Sequence, residues 1–102
     1  MIESSPLFRA VLYVLTSEQG GRKTPFRNGY RPQFYIDAVE VCTSFLIQKI
    51  IGMEEVPPGA TVTVEAILLA FVDFKDRFRP GLRFLLREGN RTIAEGLVEG
   101  VV

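Results

Sequence analysis

The sequence predicts an all-β domain closed into a small antiparallel barrel. Strand-length runs of aromatic and β-branched residues recur along the chain, clusters of Gly, Pro and Asn separate them, and no segment shows a convincing helical period. The hydrophobic fraction of 47%, with eight Phe and three Tyr, is ample for one packed core, and 102 residues would starve a second. Residues 1–102 are therefore expected to form a single domain. Five to six strands without a helix to cover them favour closure, because a closed barrel leaves no unpaired edge.

Taken in order, Phe8 to Leu15 is the first strand, with nothing in it that breaks a ladder. Thr16 to Pro32 carries Gly20-Gly21, Pro25, Gly29 and Pro32, and Asn28-Gly29 is a strong turn pair, so this stretch reads as a long loop. Loops of such length inside a compact domain are more often functional than idle. Gln33 to Thr43 reads as the second strand, with Phe34, Ile36 and Ala38 alternating against Tyr35, Asp37 and Val39. Phe45 to Ile51 is a third apolar run. Gly52 to Gly59, containing Pro57-Pro58, cannot join a ladder because proline donates no hydrogen bond. Thr61 to Phe71 is a long strand, and the charged stretch Asp73 to Pro80 reads as an exposed turn. Leu82 to Arg87 and Arg91 to Val98 flank Gly89-Asn90, the signature of a tight hairpin.

Composition narrows the function. Twelve basic and twelve acidic residues cancel, so no global field draws the chain to nucleic acid or to an anionic membrane, and recognition must come from local patches. The basic residues are nine Arg and three Lys, a bias toward the planar group that grips phosphate or carboxylate in a fork. Cys42 is the sole cysteine, which excludes an internal disulfide and a multi-cysteine zinc site; it reads as a small buried hydrophobe, and the usage fits a reducing cytoplasm. There is no histidine, so the commonest metal ligand and general base are missing, and Cys42 has no imidazole to activate it. The adjacent Glu54 and Glu55 point opposite ways in an extended chain and cannot act as an acid–base pair. No enzyme, metal or cofactor is expected. The start lacks a basic signal region, and the longest apolar run, Ala66 to Val72, is far short of the ~20 residues of a membrane span, so a cytoplasmic protein without a membrane partner is expected.

Gly20-Gly21-Arg22-Lys23-Thr24-Pro25-Phe26, followed by Gly29-Tyr30-Arg31-Pro32-Gln33-Phe34-Tyr35, resembles the third, C-terminal domain of elongation factor Tu. The resemblance begins at Phe8, Ala10 and Tyr13-Val14-Leu15 and continues through Pro58-Gly59 to Arg83-Phe84, Arg87-Glu88-Gly89 and Arg91-Thr92. It implies a six-stranded Greek-key barrel, standing alone here, that in the intact factor packs on two other domains and touches the T-stem backbone of aminoacyl-tRNA. These residues contain no Gly-x-x-x-x-Gly-Lys-Ser/Thr string, so GTP binding is not carried over. The chain departs from the family at Lys23, where His is usual, at Cys42, where Thr is usual, at Asn90, where a second Gly is usual, and in the highly charged Asp73 to Pro80.

The resemblance raises Arg22, Lys23, Gln33, Cys42, Glu88 and Gly89 as the nucleic-acid-binding positions. Each has a structural rival: Arg22 can pair with an acid, Gln33 can simply open a strand, Glu88 can orient Arg87 or Arg91, and Gly89 is what a tight turn demands. At least two of Phe26, Tyr30 and Tyr35 are expected to fill the core rather than stack on bases. Arg22, Lys23, Arg27 and Arg31 form one basic stretch, and Lys75, Arg77, Arg79, Arg83, Arg87 and Arg91 another; brought together, they would make one basic face. Two functions follow. One is a translation-factor-like module that positions itself on a tRNA or other RNA stem. The other is a module that turns the family's domain-contact surfaces toward a protein partner or a second copy.

Overall fold

The computed structural model describes residues 4–36, 42–72 and 74–102. They form six strands: β1 (Phe8–Val14), β2 (Gln33–Tyr35), β3 (Thr43–Ile51), β4 (Thr61–Leu68), β5 (Arg83–Glu88) and β6 (Arg91–Val101). The strands close in the order β1-β4-β3-β2-β5-β6, and every neighbouring pair is antiparallel. The all-β class and the closed six-stranded barrel are as expected. Adjacent strands are joined at β2–β3, β3–β4 and β5–β6, whereas the β1–β2 and β4–β5 connections each pass two strands across opposite ends of the barrel. That is the Greek-key path.

The core follows from period-two alternation. Phe8, Ala10, Leu12 and Val14 of β1, Val62, Val64, Ala66 and Leu68 of β4, and Phe84 and Leu86 of β5 all point inward and are buried. Bulges between Ile47 and Lys49 and between Leu86 and Arg87 reset the register where alternation alone would turn apolar residues outward. The Phe34 ring lies 4.9 Å from Phe84, and Phe45 lies 5.4 Å from Phe84 and 5.8 Å from Phe8. Gly96 of β6 makes room for this cluster. It pairs with Phe84, whose ring fills the place of the missing Cβ.

Both crossing connections are built in. The 15–32 loop lies along β3: Gly29 N donates to Ile47 O at 2.9 Å, Ile47 N to Tyr30 O at 3.1 Å and Phe45 N to Pro32 O at 2.9 Å. Ile50 N donates to Asn28 Oδ1 at 2.8 Å, and Phe26 bridges Val56. The other connection corrects the reading of Asp73 to Pro80 as a merely exposed turn. Phe74 is fully buried and edge-on to Phe34 at 5.1 Å, while Phe78 packs edge-on against Phe8 at 4.8 Å and Phe71 at 5.2 Å. Apolar rings at three- and four-residue spacing plug the mouth of the barrel, and Lys75, Asp76 and Arg77 stay outside.

Several strand limits also differ from expectation, the sixth strand among them, which runs past Val98 to Val101. The fourth strand stops at Leu68, because the Ala70 amide leaves the ladder for Thr43 Oγ1 at 2.8 Å. The second covers only Gln33–Tyr35; residues 37–41 of the expected strand lie outside the described residues, and Thr43 already belongs to β3. Cys42 is exposed, not a buried hydrophobe. Thr43 points inward at the start of β3, so the residue before it faces out.

Candidate nucleic-acid interface at the hairpin end

The β1–β2 connection and the β5–β6 hairpin meet at one end of the barrel. Gly89 supplies the φ of +59° that the hairpin turn requires. Just before it, the Glu88 carboxylate binds two groups of the long loop. Arg22 Nη1 forms an ion pair with Glu88 Oε2, and Tyr30 Oη donates to the same oxygen at 2.6 Å. The Arg22 guanidinium also lies over the Tyr30 ring, 4.8 Å from its centroid, and donates from Nε to Thr24 O at 3.2 Å and from Nη2 to Thr24 Oγ1 at 3.1 Å. The Tyr30 ring is in turn stacked on buried Phe26 at 4.7 Å. The result is a clamp in which one carboxylate, one phenol and one guanidinium fix the loop to the hairpin.

The electrostatics reinforce the clamp. Burial opposes the Arg22 charge, but the hydrogen bond to Glu88 and the negative charge of that carboxylate help to raise the guanidinium above its ordinary pKa. Burial, and then the hydrogen bond to Glu88 and the charge of that carboxylate, push the Tyr30 phenol well above its ordinary value, against the pull of Arg22. Tyr30 is thus a neutral donor and Arg22 a committed cation.

Among the expected site residues, Arg22, Glu88 and Gly89 come together here. Lys23 adjoins them, exposed and without a hydrogen bond or ion pair among the described residues. Exposed Gln33 opens β2, as its structural reading had it, and pairs in register with Arg87 beside the hairpin. Cys42 follows on the same wall, one pairing step beyond Phe34 and Thr43 and toward the opposite end. The six positions therefore trace a stripe from the hairpin across β5 and β2 to the start of β3. The expectation that Glu88 orients Arg87 or Arg91 is corrected, since its carboxylate is engaged by the loop instead. Arg87 places its guanidinium over Tyr35 at 5.2 Å and donates to Asn90 O at 3.1 Å. Phe26 is core and Tyr30 packs against it, as expected of two of the three aromatics.

The two basic stretches merge only in part. Arg22, Lys23, Arg87 and Arg91 gather at the hairpin, while Lys75, Arg77, Arg79 and Arg83 lie toward the other end. Arg27 is paired with Glu55 and Arg9 with Glu65, so both act as surface ion pairs. Tyr30 is the member of the site that sequence reasoning missed. Its neighbour Phe26 marked it as core, whereas its hydroxyl finds a carboxylate 58 positions away. No group of three or more metal-ligating side chains occurs among the described residues, nor a helix long and apolar enough to cross a membrane. A family model described as the elongation factor Tu C-terminal domain matches residues 1–102, the whole chain.

Proposed function

The chain belongs to the elongation factor Tu C-terminal domain family, and from that premise we propose that it is a non-catalytic, translation-factor-type module that docks on the backbone of a tRNA or similar RNA stem. The observation that carries this reading is the stripe itself. Six positions that resemble T-stem contacts, drawn from four separate parts of the sequence, run from the loop and hairpin at one end of the barrel down β2 to the start of β3, and the loop that bears Lys23 is held in place by the Arg22–Glu88–Tyr30 clamp. In this reading Lys23 and the backbone at Gly89 meet phosphates, Gln33 meets sugar or phosphate oxygens, and Arg22 and Glu88 set the geometry of the loop. Contacts of this kind recognise the shape of a stem rather than its bases.

The test is an anisotropy titration of a labelled RNA hairpin copying an acceptor–T stem, repeated across a salt series. Wild-type protein should bind with affinity that falls with salt, and Lys23→Ala should weaken binding and reduce the log–log slope by roughly 0.7–0.9, the share of one phosphate contact. No saturable binding at low salt would sink the reading. The protein-partner reading would then take its place.

A further inference from the structure

A second surface lies on the outer face of β1, β6 and β5, and its arrangement follows from the strand register. Leu97 of β6 sits between Val11 of β1 and Arg83 of β5; two residues along, Glu95 sits between Tyr13 and Leu85. The centre of the face is thus a two-by-two block, with Leu97 and Leu85 on one diagonal and Arg83 and Glu95 on the other. Leu97 is 38% exposed, and Val11, Tyr13 and Leu85 are half-buried. Shallow depressions flank the block, and Arg83 and Glu95 line both of them. The two charges are exposed, and neither forms an ion pair with the other or with any described residue.

Such a block is complementary to itself. A twofold axis lying in the plane of the face, at right angles to the Arg83–Glu95 diagonal, carries each Arg83 to the position opposite a Glu95. The same axis runs close to the leucine diagonal, so leucine meets leucine. We propose that this face is a self-recognition surface on which a second copy of the chain docks about such an axis, Arg83 of each copy meeting Glu95 of the other and the leucines closing the centre. Closure of the barrel has removed edge-to-edge pairing as a route to association, which leaves the faces. A standard interface takes about 800 Å² from each partner, and the convex wall of so small a barrel meets its copy over less, so the dimer is weak and forms with rising concentration.

Charge reversal tests the pairing. Sedimentation equilibrium of the full chain, up to about 1 mM, should show a monomer–dimer equilibrium. Arg83→Glu or Glu95→Arg alone places like charges opposite each other twice and should raise the dissociation constant at least about tenfold. An equimolar mixture of the two variants restores both attractive pairs and should associate about as well as wild type, which a protein partner of any other kind would not produce. Unchanged thermal midpoints show that the variants are folded. A wild-type chain that stays monomeric at the highest concentration overturns the proposal, as does dimerisation that neither variant weakens or a mixture that fails to recover.

Discussion

Replacing Gly96 by Ala adds one methyl group at the tightest place in the barrel wall. A Cβ there would lie 2.8 Å from Phe84 Cε1 and closer still to Cζ and Cε2. The backbone at Gly96 does not need a left-handed conformation, so in a strand the swap by itself favours the folded state by about 0.5–1 kcal/mol. The steric term opposes it. The Phe84 ring cannot retreat, because Phe34 and Phe45 stand 4.9 and 5.4 Å behind it, and overpacking of this kind costs about 1–3 kcal/mol or more. The clash wins, with an expected net loss of about 2 kcal/mol and a fall of roughly 8–16 °C in melting temperature for a domain of this size. Differential scanning calorimetry reads it directly. Phe84→Leu, made in the Gly96→Ala background, should recover part of the loss, giving a coupling of at least about 0.5 kcal/mol in a double-mutant cycle. A Gly96→Ala protein as stable as wild type, or a cycle that closes to zero, would refute the claim that Phe84 occupies the place of the missing side chain.

Phe74→Ala should cost about 3–5 kcal/mol in chemical denaturation, since its ring is fully buried in the mouth of the barrel; a loss under about 1 kcal/mol would mean the β4–β5 connection is not a plug. Tyr30→Phe leaves Glu88 Oε2 short of a donor and should destabilise by about 1–2 kcal/mol at pH 7. The folded phenol holds its proton above the unfolded pKa of ~10, so its stabilisation is complete below that value and drains away as pH rises through the folded one. Wild type should therefore lose stability above about pH 10 more steeply than Tyr30→Phe, and parallel alkaline curves would contradict the clamp. Exposed Cys42 should react with a thiol reagent in the native protein nearly as fast as in urea; strong native protection would place it elsewhere.

The parts of the fold that local pattern controls were legible. Alternation in Val62, Val64 and Ala66, the Gly89-Asn90 turn and the Pro57-Pro58 break each act over a few residues, and each element stands where they place it. What could not be read depends on distance in the chain. Phe74 looks like one apolar residue in a charged turn until Phe34 is found beneath it, and Cys42 looks buried until the phase of β3 is known. The clamp is of the same kind. Arg22, Tyr30 and Glu88 each had a plausible local partner, and only the closing of the barrel brings residues 66 positions apart into contact.

Closure also has a temporal side. The first strand is bordered on one side by β4 and on the other by β6, with Phe8 in register with Val101, 93 positions later. Most of the stabilising pairings thus join distant stretches of chain, and folding should be slow for so small a protein. During synthesis the first five strands emerge with two open flanks, one on β1 and one on β5, and both wait for the same last ribbon. Until it arrives the nascent barrel has two adhesive seams, and a ribosome that stalls before Arg91 would release a chain prone to clump rather than one that folds.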